Sequence, residues 1–183
     1  MKTPDPAMMP MYEEVQRYKQ PWLWGIVIFA ALLPVVIMAL YFFPELGVFP
    51  DMHQRTADRD ALLWGLIVAL VFGALLLWLF SMARLETVIA GDSIYFRYFP
   101  FNLKMKRIRV GDISAYEIRR YSPIMQYGGW GIRWGMSHGM AYNVSGNIGL
   151  QITTSQGKKI MIGTQRPEDL EKALKKLFEK NSK

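Results

Sequence analysis

The sequence predicts a hairpin of two transmembrane helices joined to an α+β domain, in which antiparallel strands are closed by a C-terminal helix. Three observations support this fold class: two long apolar blocks near the N-terminus, a stretch of alternating apolar and polar residues after them, and an amphipathic segment at the end. The chain is 51% hydrophobic and carries a net charge of +7. These two values are compatible because the apolar residues are concentrated in the two blocks and most of the charge follows them.

The two apolar blocks are Pro21 to Phe43 and Ala61 to Ala83, and neither contains a charged residue. At ~1.5 Å per residue, each block is long enough to cross a hydrocarbon core of ~30 Å. Tryptophan residues lie near the ends of both blocks, where aromatic rings favour the headgroup zone. We therefore predict spans at about 22–43 and 61–83, within a hairpin over 21–83. A cleavable signal peptide is not expected, because the first block is too long for one and a polar segment precedes it.

The charges that flank the spans predict their orientation. The segment between the spans contains more acidic than basic residues and only two lysine or arginine residues, whereas three precede the first span and a clear excess follows the second. Because basic flanks stay on the cytoplasmic side, both termini should be cytoplasmic in a bacterial-type inner membrane. Residues 84–183 would then form a basic cytosolic domain, and residues 1–20 a juxtamembrane segment. The chain has no cysteine, which excludes disulfides and is compatible with a reducing compartment.

Alternation of apolar and polar residues begins at Leu85 and predicts β-structure. The runs "LETVIA" and "SIYFRYF" flank a Gly91-Asp92 turn, and six more strand-like runs follow, each separated by glycine, serine or asparagine. The segment 167–180 is predicted to be a helix, with Pro167 in its first turn and an apolar stripe that continues to Phe178. We thus expect seven or eight antiparallel strands in a bent sheet or barrel, capped by one helix.

Several features resemble bacterial membrane proteins with a pleckstrin-homology-like (PH-like) domain, a largely uncharacterised family. They are the two spans, the turn and strand "GDI…YEIR", a glycine-rich aromatic strand, and the final "IGTQRPEDLEKAL". The resemblance covers about residues 84–180 and implies a PH-like barrel with a binding role. Phosphoinositide recognition is not implied, because the first hairpin turn, "IAGDSIYF", lacks a basic signature.

The glycine-rich stretch "GWGIRWG" has two interpretations. Its third glycine is one position too late for a dinucleotide-binding fingerprint, and it lies among strands with no crossover helix. If it forms a strand, Trp130, Ile132 and Trp134 share one face, which we expect to fill the inner side of the sheet. Arg133 would project from the opposite, glycine-lined face beside His138. That face is either purely architectural or a binding surface.

No catalytic or metal-binding constellation is visible in the sequence. The two histidines, His53 and His138, lack the spacing of a metal site, and Ser137 is only the sequence neighbour of His138. No nucleophile elbow, phosphate-binding loop or paired carboxylates are present. We therefore expect no enzyme, no cofactor and no metal; Arg133, Glu117 and His138 are the only cluster that an enzyme could use.

A basic surface is the candidate binding site of the domain. We expect "KMKRIRV" and "EIRRY" to be adjacent strands that bring their cations together, with Arg133 as a further member. Three interpretations stay open: charge that only sets membrane topology, attraction to anionic headgroups, or an acidic partner. Nucleic acid is not expected, because no RNA- or DNA-binding motif is present. The predicted surface comprises Lys104, Lys106, Arg107, Arg109, Arg119, Arg120 and Arg133.

Two further features indicate interactions at the membrane. Gly65, Ala69 and Gly73 form a small-residue face in the second span, which would pack against the first span or mediate self-association. Before the first span, Met8, Met11, Val15 and Tyr18 lie near one face of a predicted helix, so this segment would lie on the bilayer or dock on the β-domain.

Taken with the absence of catalytic motifs, these features predict an integral inner-membrane scaffold that binds a protein, another copy of itself or anionic lipid. The alternative is an accessory subunit of a membrane enzyme or transporter, or an enzyme with an unrecognised site.

Overall fold

The computed structural model describes residues 9–42 and 59–181. The chain divides into a helical unit, Lys19–Met82, and a β-rich unit formed by Met1–Tyr18 together with Ala83–Lys183. Most of the segment between the predicted spans, including His53, lies outside the described residues; its last two residues, Arg59 and Asp60, begin the second apolar helix. Met1 to Met8 lie outside them as well.

In its described part, the helical unit contains two helices, α1 (Pro21–Phe42) and α2 (Arg59–Met82). Their apolar segments, Pro21–Leu40 and Leu63–Met82, have mean hydropathies of 2.7 and 2.6, and only 11% of each segment is buried. Both helices are therefore long and apolar enough to cross a membrane, as the sequence predicted.

The small-residue face of α2 lies against α1. A Cβ atom added to Gly73 would be 2.8 Å from the carbonyl oxygen of Ala31, and one added to Gly65 would be 2.8 Å from the sulfur of Met38. Ala69, between them, is buried. Small residues thus allow the two helices of one chain to approach each other closely.

Within the residues that the structure describes, the β-rich unit contains nine strands, a short helix and a terminal helix. The first sheet has the order β1-β2-β3-β4, and the second has the order β5-β8-β9-β7-β6. The strands are β1 (Tyr12–Arg17), β2 (Arg84–Ala90), β3 (Ser93–Phe99), β4 (Lys106–Arg109), β5 (Ile113–Arg120), β6 (Gly131–Gly135), β7 (Gly139–Asn143), β8 (Ile148–Thr154) and β9 (Lys159–Gly163). The helices are α3 (Pro123–Tyr127) and α4 (Pro167–Asn181).

The prediction of an α+β domain closed by a C-terminal helix is confirmed, but the expected all-antiparallel pattern is wrong. β7 and β9 pair in parallel, with Met140 opposite Ile160. The helix α3 was not predicted at all; it is one short turn capped by the Ser122 side chain, which accepts a hydrogen bond from the Met125 amide.

The N-terminal segment is a strand, and the expectation of a helical face over Met11 to Tyr18 is wrong. β1 pairs antiparallel with β2, with Tyr12 opposite Ile89 and Arg17 opposite Arg84. Its side chains alternate strictly between buried and exposed. Of the two locations left open by the sequence, the segment takes the second and forms part of the β-rich unit.

The core of this unit lies between the two sheets and α4. Leu85, Ile94 and Phe96 of the first sheet meet Leu150 and Ile162 of the second. The apolar stripe of α4 covers the same core and consists of Leu170, Ala173, Leu174 and Leu177, all buried. Phe178, next along the stripe, stacks on Tyr116 of β5 with ring centroids 4.3 Å apart.

Candidate binding groove

The structure separates the predicted basic residues instead of gathering them. β4 is an outer strand of the first sheet, and β5 is an outer strand of the second. A single 3-10 turn, Val110–Asp112, carries the chain from one sheet to the other. The expectation that these two strands are adjacent is therefore wrong, because this turn moves the chain between sheets where a hairpin would keep it in one.

Within β4, alternation also divides the cations between two faces. Arg107 points to the outer face, where it donates to Asp92 Oδ1 at 2.7 Å and to Ser93 Oγ at 2.7 Å. Lys106 points the other way and contacts Tyr142 of β7, with its ammonium 4.7 Å from the ring centroid. Lys104 lies in the preceding loop, and Arg109 is exposed at the end of the strand.

On the second sheet, Arg119 is held in a polar network. Its guanidinium donates to Gln151 Oε1 at 3.0 Å, and Tyr127 Oη lies 3.5 Å from the same oxygen. Burial raises the pKa of Tyr127, and the nearby charge of Arg119 opposes that shift. Arg120 is exposed beside this network. These contacts attach α3 to the sheet.

A groove of about 570 Å³ opens between the two sheets. One wall comes from β3 and β4, through Phe96 and Lys106, and the other comes from β6, β7 and β9. Residues of the second wall are Trp134, Met136, Ser137, Gly139, Met140, Tyr142, Gly157, Lys158, Lys159 and Ile160. β4 and β6 are both outer strands of their sheets, so each has one backbone edge without a strand partner within the described residues.

The groove has an apolar floor and a positively charged rim. Of the described residues that line it, three are lysines (Lys106, Lys158 and Lys159) and none is Asp or Glu. Within the described parts of the chain, no carboxylate lies within 4.0 Å of these lysine ammonium groups. The groove is therefore suited to an anionic ligand that also carries apolar groups.

Two large apolar side chains at the groove are exposed. Trp134 is 70% exposed and Met136 is 100% exposed. The expectation that the Trp130–Ile132–Trp134 face fills the inner side of the sheet is therefore wrong at Trp134. Ile132 packs against the core, but Trp134 lies farther along the same strand, where that face opens into the groove. Exposed tryptophan and methionine are typical of binding surfaces.

A glycine shapes the floor of the groove. Gly139 has φ +76°, and a Cβ atom at this position would lie 2.1 Å from the carbonyl oxygen of Lys159. Only glycine allows β7 to begin so close to β9. This close approach places Met140 beside Ile160 in the parallel pair and sets the second wall of the groove.

The structure does not gather the residues that an enzyme was expected to use. Glu117 lies on β5 and Arg133 on β6, the two opposite outer strands of the second sheet, with three strands between them. Arg133 turns back along its own strand and donates to the carbonyl oxygen of Trp130 at 3.0 Å. His138 is hydrogen-bonded to Ser137, with Nδ1 and Oγ 2.9 Å apart.

Of the basic residues predicted to form the binding surface, only Lys106 lines this groove. Lys158 and Lys159 were missed because they follow a β8–β9 turn and are distant in sequence from the basic runs. Trp134 was expected to fill the inner side of the sheet, but it is exposed at the groove. The available signal was the "QGKK" turn, in which two lysines follow the Gly157 turn residue immediately before a strand.

Comparison with known proteins gives no relative from which a ligand could be transferred. No protein-family model matches the chain, and no curated protein is significantly similar to it. Its function must therefore be inferred from the geometry of its own residues.

Proposed function

We propose that the protein is a membrane-anchored, non-catalytic binding protein, in which two inner-membrane helices carry a PH-like domain on the cytosolic side. The groove between β4 and β6 would bind an extended, acidic segment of a partner protein. The observation that carries the proposal is the combination of three lysines with exposed Trp134 and Met136 around one groove.

The pairing of β1 with β2 supports the membrane arrangement. β1 precedes both apolar helices and β2 follows them, yet Arg17 is paired with Arg84 in one sheet. Two strands of one sheet lie on the same side of a membrane, so the segments that flank the helices share a side. This arrangement requires an even number of crossings, which the two helices would provide.

The two sheets and the closing helix support the PH-like assignment. A four-stranded sheet and a five-stranded sheet enclose one core, and α4 covers it with a four-residue apolar stripe. These features agree with the fold that the sequence resembles. Fold alone does not give the ligand, so the ligand is inferred from the groove.

A peptide fits the groove better than a lipid headgroup does. Lys158 lies at the β8–β9 turn, where the Ser155 amide donates to the carbonyl oxygen of Asp112. Close to it in the chain, the Val110 amide donates to the carbonyl oxygen of Asp92. Asp92 belongs to the β2–β3 turn, at the end of the first sheet opposite to Arg17 and Arg84. Lys158 therefore lies at the end of the β-rich unit opposite to Arg17 and Arg84, the residues next to the apolar helices in the chain. An extended peptide can also pair with the free edges of β4 or β6, and a headgroup cannot.

A direct binding experiment tests this proposal. Because the chain has no cysteine, Met136→Cys can carry one environment-sensitive fluorophore in the full-length protein held in detergent micelles. The probe is a synthetic peptide of alternating glutamate and phenylalanine, compared with the same peptide in which lysine replaces glutamate. We expect saturable binding of the acidic peptide only.

Charge reversal provides the matched control. Lys159→Glu should weaken binding of the acidic peptide at least ~10-fold, which corresponds to ~1.4 kcal/mol. Lys176→Glu, on the exposed face of α4, should leave binding unchanged. Equal affinity in the two variants, or no preference for the acidic peptide, would contradict the proposal.

The contact between Ser137 and His138 favours a second candidate, a hydrolase. A serine hydroxyl 2.9 Å from an imidazole nitrogen is one element of a nucleophilic site. A catalytic serine also needs a group that orients the imidazole, and within the described residues no carboxylate hydrogen-bonds to His138. Turnover of ester substrates that Ser137→Ala abolishes would support this candidate over the binding protein.

A further inference from the structure

The loop between β3 and β4, Pro100 to Met105, exposes two large apolar side chains. Phe101 is 61% exposed and Leu103 is 71% exposed. Lys104, next along the loop, is exposed as well. None of the three residues lines the groove described above, so this surface is distinct from the proposed peptide site.

The strand register places this loop at one particular end of the first sheet. Phe99, the last residue of β3, is paired with Arg84, and Arg84 is paired with Arg17. In the chain, Arg84 follows Met82, the last residue of α2, by two positions, and Arg17 precedes Pro21, the first residue of α1, by four. The loop therefore begins at the same end of the sheet as Arg17 and Arg84. At ~3.6 Å per extended residue, no more than ~15 Å of chain separates either arginine from its neighbouring apolar helix.

Internal contacts hold the loop in shape. The Asn102 amide donates to the carbonyl oxygen of Tyr98 at 2.7 Å, and the Arg97 guanidinium lies 3.4 Å from the carbonyl oxygen of Leu103. The ring of Phe101 lies against Tyr98 with centroids 6.1 Å apart. The exposed side chains are therefore presented by an ordered loop.

The same end of the sheet is positively charged. Arg17, Arg84 and Arg97 are located there together with Lys104, and Glu86 forms ion pairs with Arg84 and Arg97 at 2.5 and 2.6 Å. This carboxylate balances only one of the positive charges. Cations next to exposed aromatic and aliphatic side chains are the combination that binds an anionic membrane interface.

From this arrangement we infer that the β3–β4 loop inserts Phe101 and Leu103 into the headgroup region of an anionic bilayer, with Lys104 and the neighbouring arginines contacting lipid phosphates. The ligand is thus a lipid surface, and the site is an insertion loop separate from the groove. The inference uses the membrane anchoring of the proposed function but not its peptide binding.

Site-directed spin labelling tests the inference in the full-length protein. Single cysteines are introduced by Leu103→Cys, by Gln156→Cys as the control, and by Val71→Cys in α2. Each variant is labelled with a nitroxide and reconstituted into vesicles of phosphatidylcholine and phosphatidylglycerol. Gln156 is the matched control because it is exposed and lies at the opposite end of the domain. Its neighbour Ser155 donates its amide to the carbonyl oxygen of Asp112, in the turn that follows β4.

The readout is the accessibility of each label to oxygen relative to a water-soluble nickel chelate. We expect this ratio to be several-fold higher at Leu103→Cys than at Gln156→Cys, and highest at Val71→Cys. If the ratios at Leu103→Cys and Gln156→Cys were equal while the ratio at Val71→Cys was high, insertion of the β3–β4 loop would be refuted and the membrane anchoring would stand. A low ratio at Val71→Cys would instead overturn the membrane anchoring.

Vesicle composition tests the role of the cations. In phosphatidylcholine alone, the ratio at Leu103→Cys should fall towards that of Gln156→Cys. A ratio that is the same in both compositions would overturn the role of Lys104 and the arginines.

Discussion

We predict that the buried carboxylate of Glu14 stabilises the attachment of β1 to the C-terminal part of the β-rich unit. Glu14 is 7% exposed. It accepts hydrogen bonds from Tyr12 Oη at 2.6 Å, from Thr164 Oγ1 at 2.9 Å and from the Gln165 amide at 2.8 Å. Two of these donors lie at the junction between β9 and α4. One side chain thereby joins the N-terminal strand to the C-terminal part of the domain.

The perturbation is Glu14→Gln, which keeps the size of the side chain and removes its charge. The amide oxygen can still accept from Gln165, and the two hydroxyl groups can rotate to accept from the new NH₂ group. The loss is therefore the charge-assisted part of three hydrogen bonds, about 1 kcal/mol for each bond. Because a neutral amide is less costly to bury, the net loss should be about 2 kcal/mol.

Hydrogen exchange of the β1 amides measures this loss. A change of about 2 kcal/mol increases the population of the open form by ~30-fold, and protection over Tyr12–Arg17 should fall by the same factor. Glu13→Gln is the matched control, because Glu13 is the adjacent acidic residue and its side chain is exposed. Equal protection of β1 in the two variants would refute the reasoning, since the buried hydrogen bonds would then contribute nothing.

Two further predictions concern the ion pairs of the first sheet and the groove floor. Burial raises the pKa of Glu86, but hydrogen bonds from Arg97 and Arg84 outweigh it and hold that pKa below its usual value. The stabilisation from Glu86 should thus be present above pH ~4.3 and be lost as pH falls through the lower folded-state pKa. In urea unfolding, Glu86→Gln should therefore be destabilising at pH 7, and its cost should shrink as pH falls through the lowered folded-state pKa of Glu86; a cost independent of pH would contradict this. Gly139→Ala should destabilise the domain by more than ~3 kcal/mol, because its Cβ would meet the Lys159 carbonyl oxygen at 2.1 Å. Gly146→Ala, with φ +77° but no atom within 4 Å, should cost only ~1 kcal/mol, and a similar melting temperature for the two variants would argue against the close approach.

Local patterns in the sequence predicted the elements whose partners are near in the chain. The β2–β3 hairpin turns at Gly91-Asp92 as expected, and α4 buries the stripe that begins at Leu170. Both elements have a strong periodicity and a clear turn or first-turn signal, and neither needs a distant partner to be recognised. The two apolar helices belong to the same class, since length and composition suffice to identify them.

The elements that sequence reasoning missed depend on distant partners. β1 pairs with a strand that follows two long helices, and its alternation in "YEEVQR" is too short to be distinguished from a helical face. The adjacency expected for β4 and β5 was wrong because Val110–Asp112, a turn of three residues, changes sheets. No local signal separates such a turn from a hairpin.

The groove could not be predicted for the same reason. Its lysines come from β4 and from the β8–β9 turn, and they meet only because the two sheets face each other. Trp134 has the alternation of an interior residue, and its exposure depends on where the facing wall ends. Charge count predicted a basic domain, but not which cations share a face.

The order in which the chain is synthesised gives the β1–β2 pairing a biological consequence. β1 is synthesised before both apolar helices, and its neighbour β2 is synthesised after them. If only one of the two helices crossed a bilayer, β1 and β2 would lie on opposite sides of it, and the first sheet would lack its outer strand β1. Under the proposed two-span anchoring, completion of the first sheet would therefore depend on insertion of both helices.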